Sequence, residues 1–350
     1  MPSILKKAQL CYYSYGWSWF IFAWYSTRRQ RMSHDNGVAV RGRIRVTQSP
    51  TFPAHDFFQP GREFECRLRH ASVSYPDDTV IQVRAASLKF ADSEVDSPLD
   101  LELNTGTMSL FWSARNFIEF VSNKHPRVNG LDYSHYYDKH PRGLLAAMDG
   151  IRKEPSSFAQ LYYHSQCPMR FVGKDGVLRY VKYRLVPGDR GPESGRMTPE
   201  ELRDRWSEDA TDGRLGPNYL KEELASRLSR GPVSYHLQLQ LHTPQPGESQ
   251  EIFNSNVPWD EATHPYMDLA TVELQSVLPR EESVRMRFSM GNQPPSLGIL
   301  PAESIDDYNS LNTMRRASDL ARRFRVLVCG LLGDPKPIPD ARPAGARRGT

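Results

Sequence analysis

Short stretches in which apolar and polar residues alternate are the feature that most constrains the fold of this chain. They cover residues 36–47, 63–74, 80–90 and 98–104, and they return in residues 233–241. Alternation puts successive side chains on opposite faces of a strand, so each stretch predicts a β-strand with one buried face. Closing a sheet of such strands on itself removes its unpaired edges.

Helical patterns interrupt these strands in the middle of the chain and follow them at its end. We predict helices over residues 111–121, 143–152, from Thr198 onward, 218–228 and 315–325. We predict a hairpin over residues 168–186 and two further strands over 270–278 and 284–290. Together, these strands and helices predict an α+β fold in which about eight mostly antiparallel strands close into a β-barrel with helical additions.

Composition excludes several classes of protein. The formal charge is only +4, and no basic cluster interleaved with aromatic residues indicates a nucleic-acid surface. The four cysteines are far apart and form no C-x-x-C pair, so a zinc site or a disulfide framework is not predicted. Free cysteines favour a reducing, cytoplasmic location. No nucleotide-binding loop, G-x-S-x-G elbow or H-E-x-x-H helix is present in the sequence.

The two ends of the chain differ from the rest. Residues 10–25 form an apolar, aromatic run between a pair of lysines and a pair of arginines. As a helix the run would span roughly 24 Å, short of the ~30 Å hydrocarbon core, and it has no small-residue cleavage site. We interpret residues 1–30 as an atypical N-terminal arm or leader that permits contact with a membrane surface, with a spanning anchor as the alternative. Residues 331–350 predict a disordered tail or linker.

The spacing R-x-x-H-x-x-G-x-x-x-x-G-x-x-x-V-T from Arg31 to Thr47, with its histidine at His34, resembles the distal haem segment of the catalase superfamily. Further segments resemble that superfamily in the same order, namely 68–73 (LRHASV), 84–90 (RAASLKF), 100–106 (DLELNTG) and the hairpin over 168–182. The resemblance runs from residue 31 to about residue 325 and implies a catalase-like haem domain over 31–330.

Within the superfamily the chain resembles the short catalase-related branch, through SPLD at 97–100, PPSL at 294–297 and DDY at 306–308. That branch includes the allene oxide synthase domains of corals, which dehydrate fatty-acid hydroperoxides. Ser33 favours the same branch, because catalases carry an aliphatic residue there and the coral synthases carry a threonine. A hydroxyl at this position could donate a hydrogen bond to the imidazole and make it a poorer base for peroxide.

The resemblance also implies roles for individual residues. His34 and Asn104 would flank the peroxide, with Ser33 as their catalytic neighbour. Arg31 and Arg69 would pair with the propionates of haem b, and Arg315 corresponds to the arginine that accompanies the iron ligand. The implied substrate is a fatty-acid hydroperoxide, and the alternative is hydrogen peroxide in a catalase or peroxidase reaction. The oligomeric state stays open.

The sequence departs from the superfamily pattern at the position of the iron ligand. The superfamily carries a tyrosine four residues after the late arginine, but Asp319 stands four residues after Arg315, and Tyr308 lies seven residues before it. A second departure is Ala71, where catalases carry a serine that orients the distal imidazole. Three hypotheses follow: an active haem enzyme in which Tyr308, Asp319 or an unexpected group reaches the iron, a haem-free binding or regulatory module, or an unrelated lipid-carrying barrel. The sequence alone assigns no metal ligand.

Overall fold

The computed structural model of the chain describes residues 4–122, 134–203 and 214–336. These residues contain strands that we number in chain order. They are β1 (Gly37–Val46), β2 (Glu63–Ser72), β3 (Gln82–Lys89), β4 (Asp100–Thr105), β5 (Ile151–Arg152), β6 (Tyr163–His164), β7 (Met169–Val172), β8 (Leu178–Pro187), β9 (Val233–His242) and β10 (Met267–Val277).

Eight of the strands form a closed ring. Their order around the ring is β2, β1, β10, β9, β8, β6, β4 and β3, and β3 then pairs with β2 again. Every pairing is antiparallel. β5 and β7 lie outside the ring, where β5 pairs with β3 and β7 pairs with β8. The predicted antiparallel barrel with helical additions is therefore confirmed.

The barrel encloses a single large apolar core. Side chains from every part of the ring contribute to it, including Ile44, Leu68, Leu101, Leu237 and Val272, each with at most 1% of its surface exposed. Such burial stabilises a leucine-sized side chain by about 1.5–3 kcal/mol. The strands are thereby fixed rigidly enough to position the groups at their ends.

One glycine is required where β1 and β10 meet. The register between the two strands shifts between Arg41 and Gly42. A Cβ atom at Gly42 would overlap the backbone carbonyl of Glu273, so only glycine fits this bulge.

The helices pack around the barrel. They are α1 (Ile4–Cys11), α2 (Ser18–Thr27), α3 (Ala114–Ser122), α4 (Ser134–Lys139), α5 (Pro141–Gly150), α6 (Pro199–Arg203), α7 (Tyr219–Arg230), α8 (Arg280–Arg285), α9 (Ser310–Ala317) and α10 (Asp319–Leu332). Short 3₁₀ segments occur at Phe158–Gln160, Gln250–Phe253 and Pro295–Leu297.

The apolar N-terminal run is helical. A π-helical segment, Tyr12–Trp17, joins α1 to α2, and α2 packs against α10. The contact includes a hydrogen bond of 3.1 Å from Ser26 Oγ to the carbonyl of Ala321. Within the described ranges, no helix combines the length and the apolar character needed to cross a membrane.

Two local predictions were wrong. The strand predicted over 284–290 is not formed, because α8 occupies residues 280–285 and the chain is irregular after it. A helix begins there since Pro279 precedes two glutamates in the first turn, which are signals of a helix start. The basic helix predicted over 315–325 is two helices, α9 and α10, which meet at Ser318. Of the predicted tail, residues 331 and 332 end α10, and residues 337–350 lie outside the described part.

Candidate active site

One cavity of about 280 Å³ lies between the strand ends of the barrel and the helices α2, α3, α9 and α10. All of the residues predicted from the sequence as site residues line it, namely Arg31, Ser33, His34, Arg69, Asn104 and Arg315. The structure thus brings together side chains that lie almost 300 positions apart in the sequence. Their chemical roles remain predictions.

His34 stands in an unusual backbone conformation. Its φ is 61°, in the left-handed region that few residues other than glycine adopt, and its N–H donates to the carbonyl of Val73 at 2.9 Å. Strain of this kind persists only where the surrounding structure enforces it, and it concentrates at functional sites. The segment before β1 therefore holds the imidazole in one orientation within the cavity.

The environment of the imidazole keeps it neutral. Burial lowers the pKa of His34 to about 4, an effect opposed by the negative charge of Glu102 and assisted by the charge of Arg69. Ser33 Oγ lies 2.7 Å from His34 Nδ1. When this hydroxyl donates to Nδ1, the proton of the neutral ring is on Nε2.

Asn104 on β4 offers an unused acceptor. Its Oδ1 atom is buried and has no hydrogen-bond partner among the residues that the structure describes. The amide is nevertheless close enough to favour the protonated form of His34. A buried acceptor without a partner is costly, so this atom indicates a place where a bound group donates a hydrogen bond.

A cluster of buried arginines carries excess positive charge. Arg31, Arg69 and Arg325 all line the cavity and all donate to backbone carbonyls of residues 283–286. Burial, together with the neighbouring charge of Arg325, lowers the pKa of Arg69 to about 10. Burial also lowers the pKa of Arg31 and Arg325, with Asp35 as the nearby carboxylate that opposes it. Carboxylate groups of a ligand would relieve this excess.

An ion pair links the strands to the helices at the cavity wall. Glu102 on β4 and Arg322 on α10 approach to 2.5 Å, and both line the cavity. Burial alone would raise the pKa of Glu102, but Arg322 outweighs it and holds that pKa below its ordinary value. Neither residue of this pair was predicted as a site residue. Alternation in β4 puts Glu102 on the face of Asn104, which is the signal that could have found it.

One part of the cavity wall is apolar. It includes Leu110, Phe111, Phe117, Phe120 and Phe288. The rings of Phe111 and Phe117 pack edge to face, with centroids 5.0 Å apart. A cavity with this lining suits an apolar ligand that bears a few polar groups.

The two residues considered as iron ligands do not reach the cavity. Tyr308 donates its hydroxyl to Glu251 on the outside of the molecule. Asp319 is held by Arg287 and by Arg323, each at 3.0 Å. Neither side chain lines the cavity. In the described ranges, no group of three or more His, Cys, Asp and Glu side chains could bind a metal ion by itself.

The fold is that of catalases. The structure superposes on catalase A from Saccharomyces cerevisiae with a TM-score of 0.65, covering 87% of this chain and 63% of that chain at 18% identity. A bacterial catalase gives a TM-score of 0.66 over 92% of this chain and 63% of its own, also at 18% identity. No protein-family model matches the chain.

Proteins with similar sequences identify the family more closely than the fold does. An allene oxide synthase-lipoxygenase protein of Plexaura homomalla is 41% identical over 293 residues, which are 82% of this chain and 27% of that protein. The uncharacterized protein y4iK of Sinorhizobium fredii is 34% identical over 164 residues, 45% of this chain and 71% of its own length. A catalase-related peroxidase of Mycolicibacterium paratuberculosis is 27% identical over 222 residues, 61% of this chain and 66% of that protein.

The chain belongs to the catalase superfamily. Within it, the chain belongs to the short catalase-related branch and resembles coral allene oxide synthase domains. It spans about a quarter of the coral relative's length, since the match covers 27% of that protein.

The cavity fits the haem that this fold family implies. The unpartnered Asn104 Oδ1 and the neutral His34 suit the distal face, and the arginine cluster suits two propionates. The late helices contribute no tyrosine to this lining.

Proposed function

We propose that the chain is a haem-dependent enzyme that dehydrates fatty-acid hydroperoxides, as an allene oxide synthase does. The observation that carries the proposal is the contact of 2.7 Å between Ser33 Oγ and His34 Nδ1, in a cavity whose wall includes several phenylalanines. The name of the coral relative gives independent support.

The protein residues have defined tasks in this reaction. Haem supplies the redox chemistry that breaks the O–O bond of the hydroperoxide. The Ser33 hydroxyl orients the His34 ring through Nδ1, so that Nε2 is left to exchange a proton with the substrate. Asn104 Oδ1 accepts a hydrogen bond from the O–H group of the hydroperoxide and so helps to position it. The overall reaction removes one water molecule from the hydroperoxide and requires no second substrate.

The apolar wall favours a lipid substrate. A wall of phenylalanines is less polar than hydrogen peroxide requires. These side chains would hold an acyl chain and exclude water from the reacting oxygen atoms. The cationic cluster of Arg31, Arg69 and Arg325 would neutralise the haem carboxylates.

A second candidate function is that of a peroxidase. His34 and Asn104 suit hydrogen peroxide as well, and one relative is named a catalase-related peroxidase. A third candidate is a haem-free binding module. The position of Asp319 favours it, because this possible iron ligand lies outside the cavity. The contact between Ser33 and His34 argues against the catalase-like reaction, since it reduces the basicity of the ring.

Haem binding tests the proposal first. We expect the purified full chain to bind ferric haem and to develop a Soret absorption band that saturates at one haem per chain. Heat-unfolded protein treated in the same way controls for haem that adsorbs nonspecifically. A folded chain with no Soret band after titration would contradict the proposal and leave the binding-module reading.

We further propose that the N-terminal helices rest on an anionic membrane from which the substrate is drawn. Their outer face exposes large aromatic side chains, namely Tyr12, Tyr15, Trp19, Phe20 and Trp24. Arg28 lies 4.5 Å from the centroid of the Trp24 ring, which combines a cation with an aromatic group as interfacial helices do. The inner face of the same helix lines the cavity through Phe22.

Vesicle sedimentation measures this contact. We expect the chain to sediment with vesicles containing phosphatidylserine and to bind phosphatidylcholine vesicles more weakly. Replacing Trp19 and Trp24 together with alanine should weaken binding roughly tenfold or more, because the buried apolar area is lost. Leu145 and Val177 are exposed elsewhere on the surface, so the pair Leu145→Ala and Val177→Ala is the control. Equal binding by both double variants would contradict the proposal.

A further inference from the structure

The N-terminal helix brings a phenol into the cavity. Among the residues that the structure describes, Tyr25 on α2 is the one tyrosine that lines it. Its hydroxyl forms no hydrogen bond with another described residue, unlike that of Tyr308, which is bound to Glu251. A cavity-facing phenol without a partner is free to bind something else.

The position of Tyr25 is set by a packing contact with the late helices. The next residue, Ser26, is buried and donates to the carbonyl of Ala321 on α10. Ser318 and Ala321 line the same cavity as Tyr25. α2 therefore brings its phenol to the helical wall of the cavity, whereas His34 and Asn104 approach from the strand ends.

The segment between Tyr25 and His34 is long enough for the two side chains to face opposite sides of a planar cofactor. An extended chain spans up to about 3.3–3.6 Å per residue, so the segment from one residue to the other is long enough to pass around the edge of a planar cofactor. Arg31 lies on this segment and is anchored to the carbonyls of Val284 and Met286. The two ends of the segment can thus face a flat ligand from different sides.

We propose that Tyr25 supplies the axial oxygen ligand to the haem iron, in place of the tyrosine that the superfamily carries on its late helix. A phenolate oxygen is an established protein ligand of haem iron. Other side chains of the cavity wall are less suited as iron ligands. Met32 and Met314 offer thioethers, and His34 is bound to Ser33. The carboxylate of Glu102 is paired with Arg322. The inference rests on the proposed haem function and adds the source of the ligand.

This assignment gives the N-terminal arm a role in the site. Residues 4–27 would be part of the cofactor site rather than a leader, because the ligand and its anchor, Ser26, both lie on α2. Asp319 is then free to serve structure alone, through its ion pairs with Arg287 and Arg323.

The test compares three variants of the full chain after reconstitution with ferric haem. In Tyr25→Phe we expect loss of the iron–phenolate bands in resonance Raman spectra, a shifted charge-transfer band, and haem affinity weaker by roughly tenfold or more. In Tyr25→His we expect these bands to be replaced by a histidine-ligated spectrum. Tyr15→Phe, on the same arm with an exposed side chain, is the matched control and should keep the wild-type spectrum.

The outcomes separate the two proposals. Wild-type haem binding with phenolate bands that persist in Tyr25→Phe would overturn the inference and leave the proposed function intact. A wild-type chain that forms no Soret band would overturn both. Circular dichroism of each variant establishes that the fold is retained, and the Tyr25→His spectrum gives a positive signal that unfolding could not produce.

Discussion

Replacement of His34 with glutamine is expected to lower the rate of fatty-acid hydroperoxide conversion by roughly 10²–10⁴-fold, the usual contribution of a positioned acid–base group. The effect should fall on kcat, because the apolar wall that binds the acyl chain is untouched. Haem binding and its spectrum should remain, since His34 contributes no ligand in this account. The measurement is steady-state consumption of a polyunsaturated hydroperoxide, followed by its diene absorbance.

The matched control is His164→Gln. His164 is also buried and its pKa is also lowered, to about 3, mainly by burial, but it does not line the cavity. This variant should keep most of the activity of the wild type. If His34→Gln retained full activity, the imidazole would have no part in the reaction.

The lowered pKa of His34 predicts how the rate of hydroperoxide conversion depends on pH. The pKa of His34 is depressed from 6.5 to about 4 by burial, so the ring stays neutral down to that pH. Activity that needs the neutral ring should therefore be constant from pH 7 to about 5 and decline as the pH falls through about 4. A decline centred near pH 6.5 would show that the ring is not shielded in this way.

Loss of the buried ion pair between β3 and β4 is expected to cause the largest change in stability. Lys89 Nζ lies 2.9 Å from Asp100 Oδ1, and neither side chain is exposed. Substitution of Lys89 by methionine would leave the carboxylate buried without its cation. We expect the free energy of unfolding to fall by about 3–5 kcal/mol, measured by urea denaturation.

The carboxylate also positions the site. Asp100 accepts hydrogen bonds from the Ser289 N–H and the Asn292 side chain, each at 2.9 Å, and it begins the strand that carries Glu102 and Asn104. Loosening this end of β4 should therefore weaken haem binding as well.

A double variant and an exposed pair serve as controls. Lys89→Met combined with Asp100→Asn should recover part of the lost stability, because no unpaired charge remains and the amide oxygen can still accept from Ser289 and Asn292. Arg43 and Glu65 form an exposed ion pair between β1 and β2, so Arg43→Ala should cost less than about 1 kcal/mol. Equal losses in Lys89→Met and Arg43→Ala would contradict this account of the buried pair.

Much of the fold could be predicted from local patterns. Alternation located the barrel strands because each strand has one face in the core, and this signal requires no knowledge of partners. Alternation gave a wrong prediction at residues 284–290. The apolar residues there are buried, but the chain after α8 is irregular and forms no strand. There the helix-start signals at Pro279 and Glu281 were the better guide.

The site was only partly accessible to sequence reasoning. His34, Asn104 and Arg69 were predicted as site residues because their segments resemble those of the catalase superfamily. Local spacing alone would not have placed them together, since Arg69 lies on β2, Asn104 lies on β4 and His34 precedes β1. Arg325 and Tyr25 enter the cavity through helix packing between the two ends of the chain, and such long-range contacts leave no trace in local periodicity. The spacing around Arg315 in the sequence therefore directs attention to Tyr308 and Asp319 and gives no indication of Tyr25.

The most direct test of the central claim is a comparison of substrates on the haem-reconstituted full chain. A polyunsaturated fatty-acid hydroperoxide and hydrogen peroxide are supplied separately, and products are followed by mass spectrometry and by an oxygen electrode. The account predicts consumption of the fatty-acid hydroperoxide, a product lighter by one water molecule, and little oxygen from hydrogen peroxide. Rapid oxygen release from hydrogen peroxide, with the fatty-acid hydroperoxide left unchanged, would contradict it.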